Sequence, residues 1–212
     1  MPDACDNMTA ADALCHPPLI IAKGKMMKKT NIVKKIMLAA VMFPLAAQAA
    51  QAAEMASFGK PPKDFKIGYQ TEQNGMVMVE LVPKKQTVDN WTKMITLQSM
   101  AGAKPGVAAF GNNLSALWKN TCPEGNFVTV QERKENGYPF ALWLMRCENN
   151  PSSNKPEFTL VKAVQGNDGL YVKQYAFRYE PNGDEIVNAM GHLDNLIVCD
   201  NSAKHPCGKN GK

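Results

Sequence analysis

The side chains that could do chemistry are few, and their spacing matches no catalytic motif. Past residue 52 there are two histidines, His192 and His205. No G-x-S-x-G nucleophile elbow and no H-E-x-x-H pair accompanies them. His192 with Asp194 and Ser202 would make a hydrolytic triad only if geometry were ignored, and a histidine on a helix surface is the simpler reading. The phosphate-loop and dinucleotide fingerprints are missing; Gly166 and Gly169 bracket a turn. The closest carboxylate pairs are Asp184-Glu185 and Glu132 with Glu135. The first suits a helix start, where acids offset the dipole. The second flanks a hairpin beside Arg133 and Lys134. Met76 and Met78 share one strand face, and thioethers with His192 could hold copper, although alternating methionines more often fill a core.

Aromatic residues are the more suggestive group. Trp91, Tyr171, Tyr175, Phe177 and Tyr179 are the candidate ligand-binding side chains. The last four share one parity on a strand and hence one face, and Lys173 shares it with them. Such a face is ordinarily core packing. Its functional alternative is a platform for a small apolar or aromatic-stacking ligand.

Cys122, Cys147, Cys199 and Cys207 are an even set, as in secreted disulfide proteins. Four cysteines allow three pairings; the short C-terminal loop favours Cys199–Cys207 with Cys122–Cys147. A four-cysteine zinc site lacks the tight C-x2-C spacing. The pairing leaves no free nucleophilic thiol.

The address agrees with oxidation. Residues 26–52 carry Lys28, Lys29, Lys34 and Lys35, an apolar stretch over 36–47, and the small-x-small patterns Ala47-Gln48-Ala49 and Ala50-Gln51-Ala52. That is the layout of a secretory signal peptide. Pro44, Gln48 and Gln51 leave it short of a membrane span. Cleavage near Ala52/Ala53 is expected, giving a periplasmic or secreted product without a transmembrane segment. Residues 1–25 precede the charged region and are expected to be a non-native or overextended N-terminus.

The chain of 212 residues is 45% apolar, with 24 Lys+Arg against 19 Asp+Glu. Six lysines and three aspartates lie before residue 53, leaving 18 basic and 16 acidic residues after it. The folded part is nearly neutral, which removes the electrostatic support for nucleic-acid binding.

The elements that would position these residues follow from periodicity. Residues 53–64 read as a flexible arm. Segments 65–70 and 76–82 flank Asn74-Gly75, a hairpin turn. Residues 91–100 read as a strand, rich in β-branched side chains. Over 105–120, Val107, Phe110, Leu114, Leu117 and Trp118 form a helical stripe. Strands follow over 127–134, 138–146, 158–165 and 170–179, with turns at Asn136-Gly137 and 166–169. A second helix is predicted over 184–198, and the tail spans 201–212. The whole predicts a single two-layer α+β domain over 65–200. It would have an antiparallel sheet of about six or seven strands and two amphipathic helices on one face.

Three stretches carry a resemblance: DNWTKMITLQ (89–98), ENGYPFALWLMRC (135–147) and VKQYAFRYEP (172–181), followed by the Cys199 region. They resemble an uncharacterised family of secreted proteobacterial proteins with a Trp-Thr-x-Met-hydrophobic-Thr-x-Gln segment and a Tyr-Pro-hydrophobic strand ending in Cys. An aromatic-rich strand before the last helix completes the pattern. The resemblance covers most of 65–200 and implies compartment, not a site. The element order is also similar to PsbP-type domains, which serve as binding or assembly modules; fold alone does not set function.

The function these readings favour is a non-catalytic binding or envelope-accessory module without a cofactor. Its partner would be an envelope protein or a small ligand. A small secreted hydrolase using His192, and a copper-handling protein using Met76, Met78 and His192, are the alternatives.

Overall fold

The structure is a computed structural model that describes residues 54–200, 202 and 204–207. The proposed signal peptide and the residues before it lie outside the described part. Nine strands and two helices alternate in the described chain. After β1 (Met55–Ser57) come β2 (Phe65–Gln73), β3 (Met76–Pro83) and β4 (Lys93–Ala101). Helix α1 (Val107–Thr121) precedes β5 (Asn126–Glu135), β6 (Tyr138–Asn150), β7 (Lys155–Gln165) and β8 (Gly169–Phe177). Helix α2 (Gly183–Asp194) and β9 (Ile197–Cys199) close the fold.

Short turns join most strands, so neighbours in sequence pair antiparallel. At Asn74-Gly75 and Asn136-Gly137 both residues adopt positive φ, as a two-residue hairpin of primed type requires. Strands β5 to β8 form a meander and β2 to β4 another. Pairing of β4 with β8 joins them into one seven-stranded sheet, ordered β2-β3-β4-β8-β7-β6-β5. The α+β class, the antiparallel sheet and the two amphipathic helices are therefore as the sequence predicts.

The layering differs. Helix α1 lays Val107, Phe110, Leu114 and Trp118 against Ala141, Trp143, Met145, Val161 and Val172. Helix α2 lays Ile186, Ala189, Met190 and Leu193 against Leu142, Leu160, Tyr175 and Phe177. These two sets alternate along β6, β7 and β8, and successive side chains point to opposite faces. The helices thus cover opposite faces, and the sheet is the middle of three layers. Strand β6, apolar almost throughout, is buried on both sides for this reason. Leu117, expected in the apolar stripe of α1, lies off the packing face and is exposed, as is Val187 on α2.

Two further corrections concern the ends. Helix α2 stops at Asp194; Ile197 and Val198, expected at the end of the helix, belong to β9 instead. The partner of β9 is β1 within the expected flexible arm, with Met55 opposite Cys199 and Ser57 opposite Ile197. Ala56 and Phe58 pack on Tyr138, Phe140, Val164, Tyr171, Leu196 and Val198. The arm is thus part of the core. Both favoured disulfides are formed, Cys122–Cys147 and Cys199–Cys207. Among the described residues no helix is long and apolar enough to cross a membrane.

Candidate functional site

On the face that carries α2, the helix covers only part of the sheet. It sits over Tyr175, Phe177 and Leu160. Beside it, β2, β3 and β4 present Ile67, Leu81, Val79, Ile95 and Leu97 on the same face. The register sets Ile67 opposite Leu81, Leu81 opposite Ile95, and Val79 opposite Leu97. Residues 58–62 of the arm cross over this apolar patch. Between arm and sheet lies a cavity of about 190 Å3, lined also by Lys173 and His192. That volume is on the scale at which an engineered apolar cavity of about 150 Å3 takes up benzene. Val79 and Leu97 remain half-buried, because the space above them is not filled by protein side chains.

The strap over the cavity is anchored at both ends. Upstream, the Glu54 carboxylate accepts hydrogen bonds from the Asn167 and Asp168 backbone N–H groups and from the Tyr171 hydroxyl. The β1–β9 pairing follows. Downstream, the Phe65 N–H donates to the Pro62 carbonyl at 3.1 Å. Pro61 and Pro62 fix φ and stiffen the crossing. At the centre, the Lys173 ammonium donates to the Phe58 carbonyl at 2.5 Å.

Lys173 is 3% exposed. It stands opposite Leu97 on β4 and opposite Lys162 on β7. Lys162 is equally buried, but it is paired with Glu135 and lies over the Phe140 ring at 5.0 Å. Among the described residues no carboxylate lies within ion-pair distance of Lys173. Burial, and then the neighbouring Lys162 charge, push its pKa down to about 8. His192, near the end of α2, stacks on Tyr175 with ring centres 5.7 Å apart. Burial lowers its pKa, the Lys173 charge lowers it further, and Asp64 partly offsets both.

The aromatic residues singled out in the sequence do not form one exposed platform. Tyr171, Tyr175 and Phe177 share a face as expected but are buried in it. Tyr175 and Phe177 lie under α2, and Tyr179 is held by Glu185. Trp91 belongs to the opposite face, with Val82, Met94 and Ala176, and the Arg178 guanidinium lies 4.0 Å above its ring. Burial raises the pKa of Tyr171 and of Tyr175, each to about 12.

The copper arrangement is not assembled. Met76 and Met78 pair with Met100 and Gln98, on the face opposite to His192. The cavity lining has no Ser, Thr, Cys, Asp or Glu beside His192. His205 stacks on Tyr138 and bonds the Asn136 carbonyl at 2.8 Å, where it ties the tail to a hairpin. Among the described residues no group of three or more His, Cys, Asp or Glu could hold a metal ion.

Sequence reasoning placed Lys173 on the aromatic face but missed the cavity and the burial of the lysine. The one available sign was a lysine at an inward position among Tyr171, Tyr175 and Phe177.

No protein-family model matches this chain, and no curated protein does. Among solved structures it is similar to the crystal structure of LpqN, involved in cell envelope biogenesis of Mycobacterium tuberculosis. That similarity covers 73% of this chain and 85% of LpqN, at 12% identity and a TM-score of 0.33. A likeness at that level carries no argument about function.

Proposed function

We propose that this chain is a non-catalytic binding protein of the periplasm or the extracellular space, and that its site is the cavity under residues 58–62. The observation that carries this reading is an apolar sheet face left uncovered by α2 and roofed by a proline-stiffened strap. Small-ligand sites combine such an apolar lining with a few polar groups that fix orientation; here those groups are Lys173 and His192. The signal-peptide layout of residues 26–52, the two disulfides and the resemblance to secreted proteobacterial proteins support the compartment.

Two experiments test it. The mass of the protein from its own cells should begin near Ala53 and lack the four hydrogens that two disulfides remove. An NMR titration with hexan-1-ol, an uncharged apolar probe, should shift the methyl signals of Ile95, Leu97, Val79 and Leu81. Leu97→Trp, which fills the cavity, should abolish those shifts while leaving the far-ultraviolet circular dichroism unchanged. A wild-type protein that takes up neither hexan-1-ol nor a charged six-carbon analogue would refute the binding reading.

A further inference from the structure

The cavity has an electrostatic character that its apolar lining conceals. Its titratable lining residues are Lys60, Lys173 and His192, all bases. An ammonium group has three donors, and Lys173 uses one, toward the Phe58 carbonyl. An ionised amine buried without an opposite charge costs several kcal/mol. Lys162, directly across the strand pair, meets the same problem with Glu135. Lys173 has no such answer within the described chain.

A bound anion would supply it. One unpaired ammonium neutralises one negative charge, and the apolar rows of β3 and β4 beside it suit a hydrocarbon chain. We propose that the cavity binds a small amphiphile with a single carboxylate, the head group on Lys173 and the chain along Leu97, Val79, Ile95 and Leu81. This rests on the reading of the cavity as a binding site. At neutral pH the ammonium is the major form of Lys173, since its pKa lies near 8. The spare donors let a carboxylate bind while the strap stays fastened to the Phe58 carbonyl.

The test compares three six-carbon probes that differ only in the head group: hexanoate, hexan-1-ol and hexylamine, each titrated at pH 7. Hexanoate should bind at least about tenfold more tightly than the alcohol, which corresponds to 1.4 kcal/mol. The amine should bind more weakly than either. In Lys173→Met, hexanoate should lose its advantage over the alcohol. Lys173→Arg should keep part of the preference for the acid. Equal affinity of the wild type for acid and alcohol would overturn the proposal and leave the cavity as a neutral site. So would undiminished hexanoate binding by Lys173→Met. If neither acid nor alcohol binds, the proposal and the reading of the cavity fall together. The wild-type comparison needs no variant, so it decides even where a substitution perturbs folding.

Discussion

Replacing Lys173 with methionine should make this protein more stable at neutral pH, not less. The lysine is 3% exposed, and burial together with Lys162 lowers its pKa from 10.5 to about 8. At 1.36 kcal/mol for each pKa unit, the charged form carries a penalty of about 3 kcal/mol in the fold. Methionine keeps the chain's volume and removes the charge, but it loses the hydrogen bond to the Phe58 carbonyl. A bond from a charged donor contributes about 1.5–3 kcal/mol. The expected net gain is therefore up to about 1.5 kcal/mol at pH 7. The sign follows from proton binding. The folded pKa lies below the unfolded one, so between about pH 8 and 10.5 the unfolded chain holds more protons. Wild-type stability from this group therefore rises through that window, and the advantage of Lys173→Met shrinks across it. The groups facing Lys173 are Lys162 on β7, His192 on α2, and Lys60 with the Phe58 carbonyl on the strap. All persist in the variant; His192, whose pKa burial and Lys173 lower, is largely neutral at pH 7 and above, so the difference between the two proteins reports chiefly on Lys173. Urea unfolding followed by tryptophan fluorescence at pH 7 and pH 10, with disulfides intact, measures it. A variant less stable than wild type at pH 7, or a difference that does not change with pH, would refute the reasoning.

Three other outcomes are expected. Cys122→Ala, which opens a loop of sequence separation 25, should cost about 3–4 kcal/mol in denaturant unfolding, and Cys207→Ala, with separation 8, about 2–3; equal melting temperatures with and without reductant would contradict both. Gly111→Ala should destabilise by about 1–3 kcal/mol despite alanine's better helix propensity, because the new Cβ would lie 2.6 Å from Cζ2 of the buried Trp143; a stabilised variant would mean that α1 lies farther from the sheet. Glu185 accepts from Lys93 at 2.8 Å and from the Tyr179 hydroxyl at 2.6 Å, and these bonds bring its pKa down to about 2. Glu185→Gln should therefore cost about 1 kcal/mol at pH 7, as for a partly exposed pair. That difference should disappear as pH falls from about 4.5 to about 2; a difference independent of pH in thermal unfolding would point to packing instead.

Most of the fold was legible because it is local. The Asn74-Gly75 and Asn136-Gly137 turns set two hairpins and their registers. The helical spacing of Val107, Phe110, Leu114 and Trp118 set α1. What escaped was non-local. Leu196, Ile197 and Val198 continue the apolar pattern of α2, and only the meeting of residues 197–199 with residues 55–57, far earlier in the chain, makes a strand there. The same meeting turns an arm of small and proline residues into a strap. The layering escaped because an amphipathic helix shows that it has a buried face, not which side of the sheet receives it. Phe140 and Ala141 are both buried, on opposite sides, in a strand whose composition hides the alternation.

The site was hidden for a related reason. Val79, Leu97 and Lys173 become neighbours only through the β3-β4-β8 order, which no single hairpin encodes. A lysine at an inward position normally reads as one whose stem is buried and whose head reaches water. Lys173 lies at the sheet's interior, between β4 and β7, is 3% exposed, and has its head bonded to the strap's Phe58 carbonyl beside the cavity. The fold has no need of a cation there: leucine or methionine would fill the space, and Lys162, on the neighbouring strand β7, shows what a compensated buried lysine looks like. Marginal stability leaves little room for an uncompensated charge, and such departures from local consistency gather where a protein binds or reacts. The lining of the cavity beside Lys173 has no carboxylate, hydroxyl or thiol, only apolar surface and bases. An acidic amphiphile reconciles the two observations, since its head removes the penalty of the buried ammonium and its tail covers the face that α2 leaves bare.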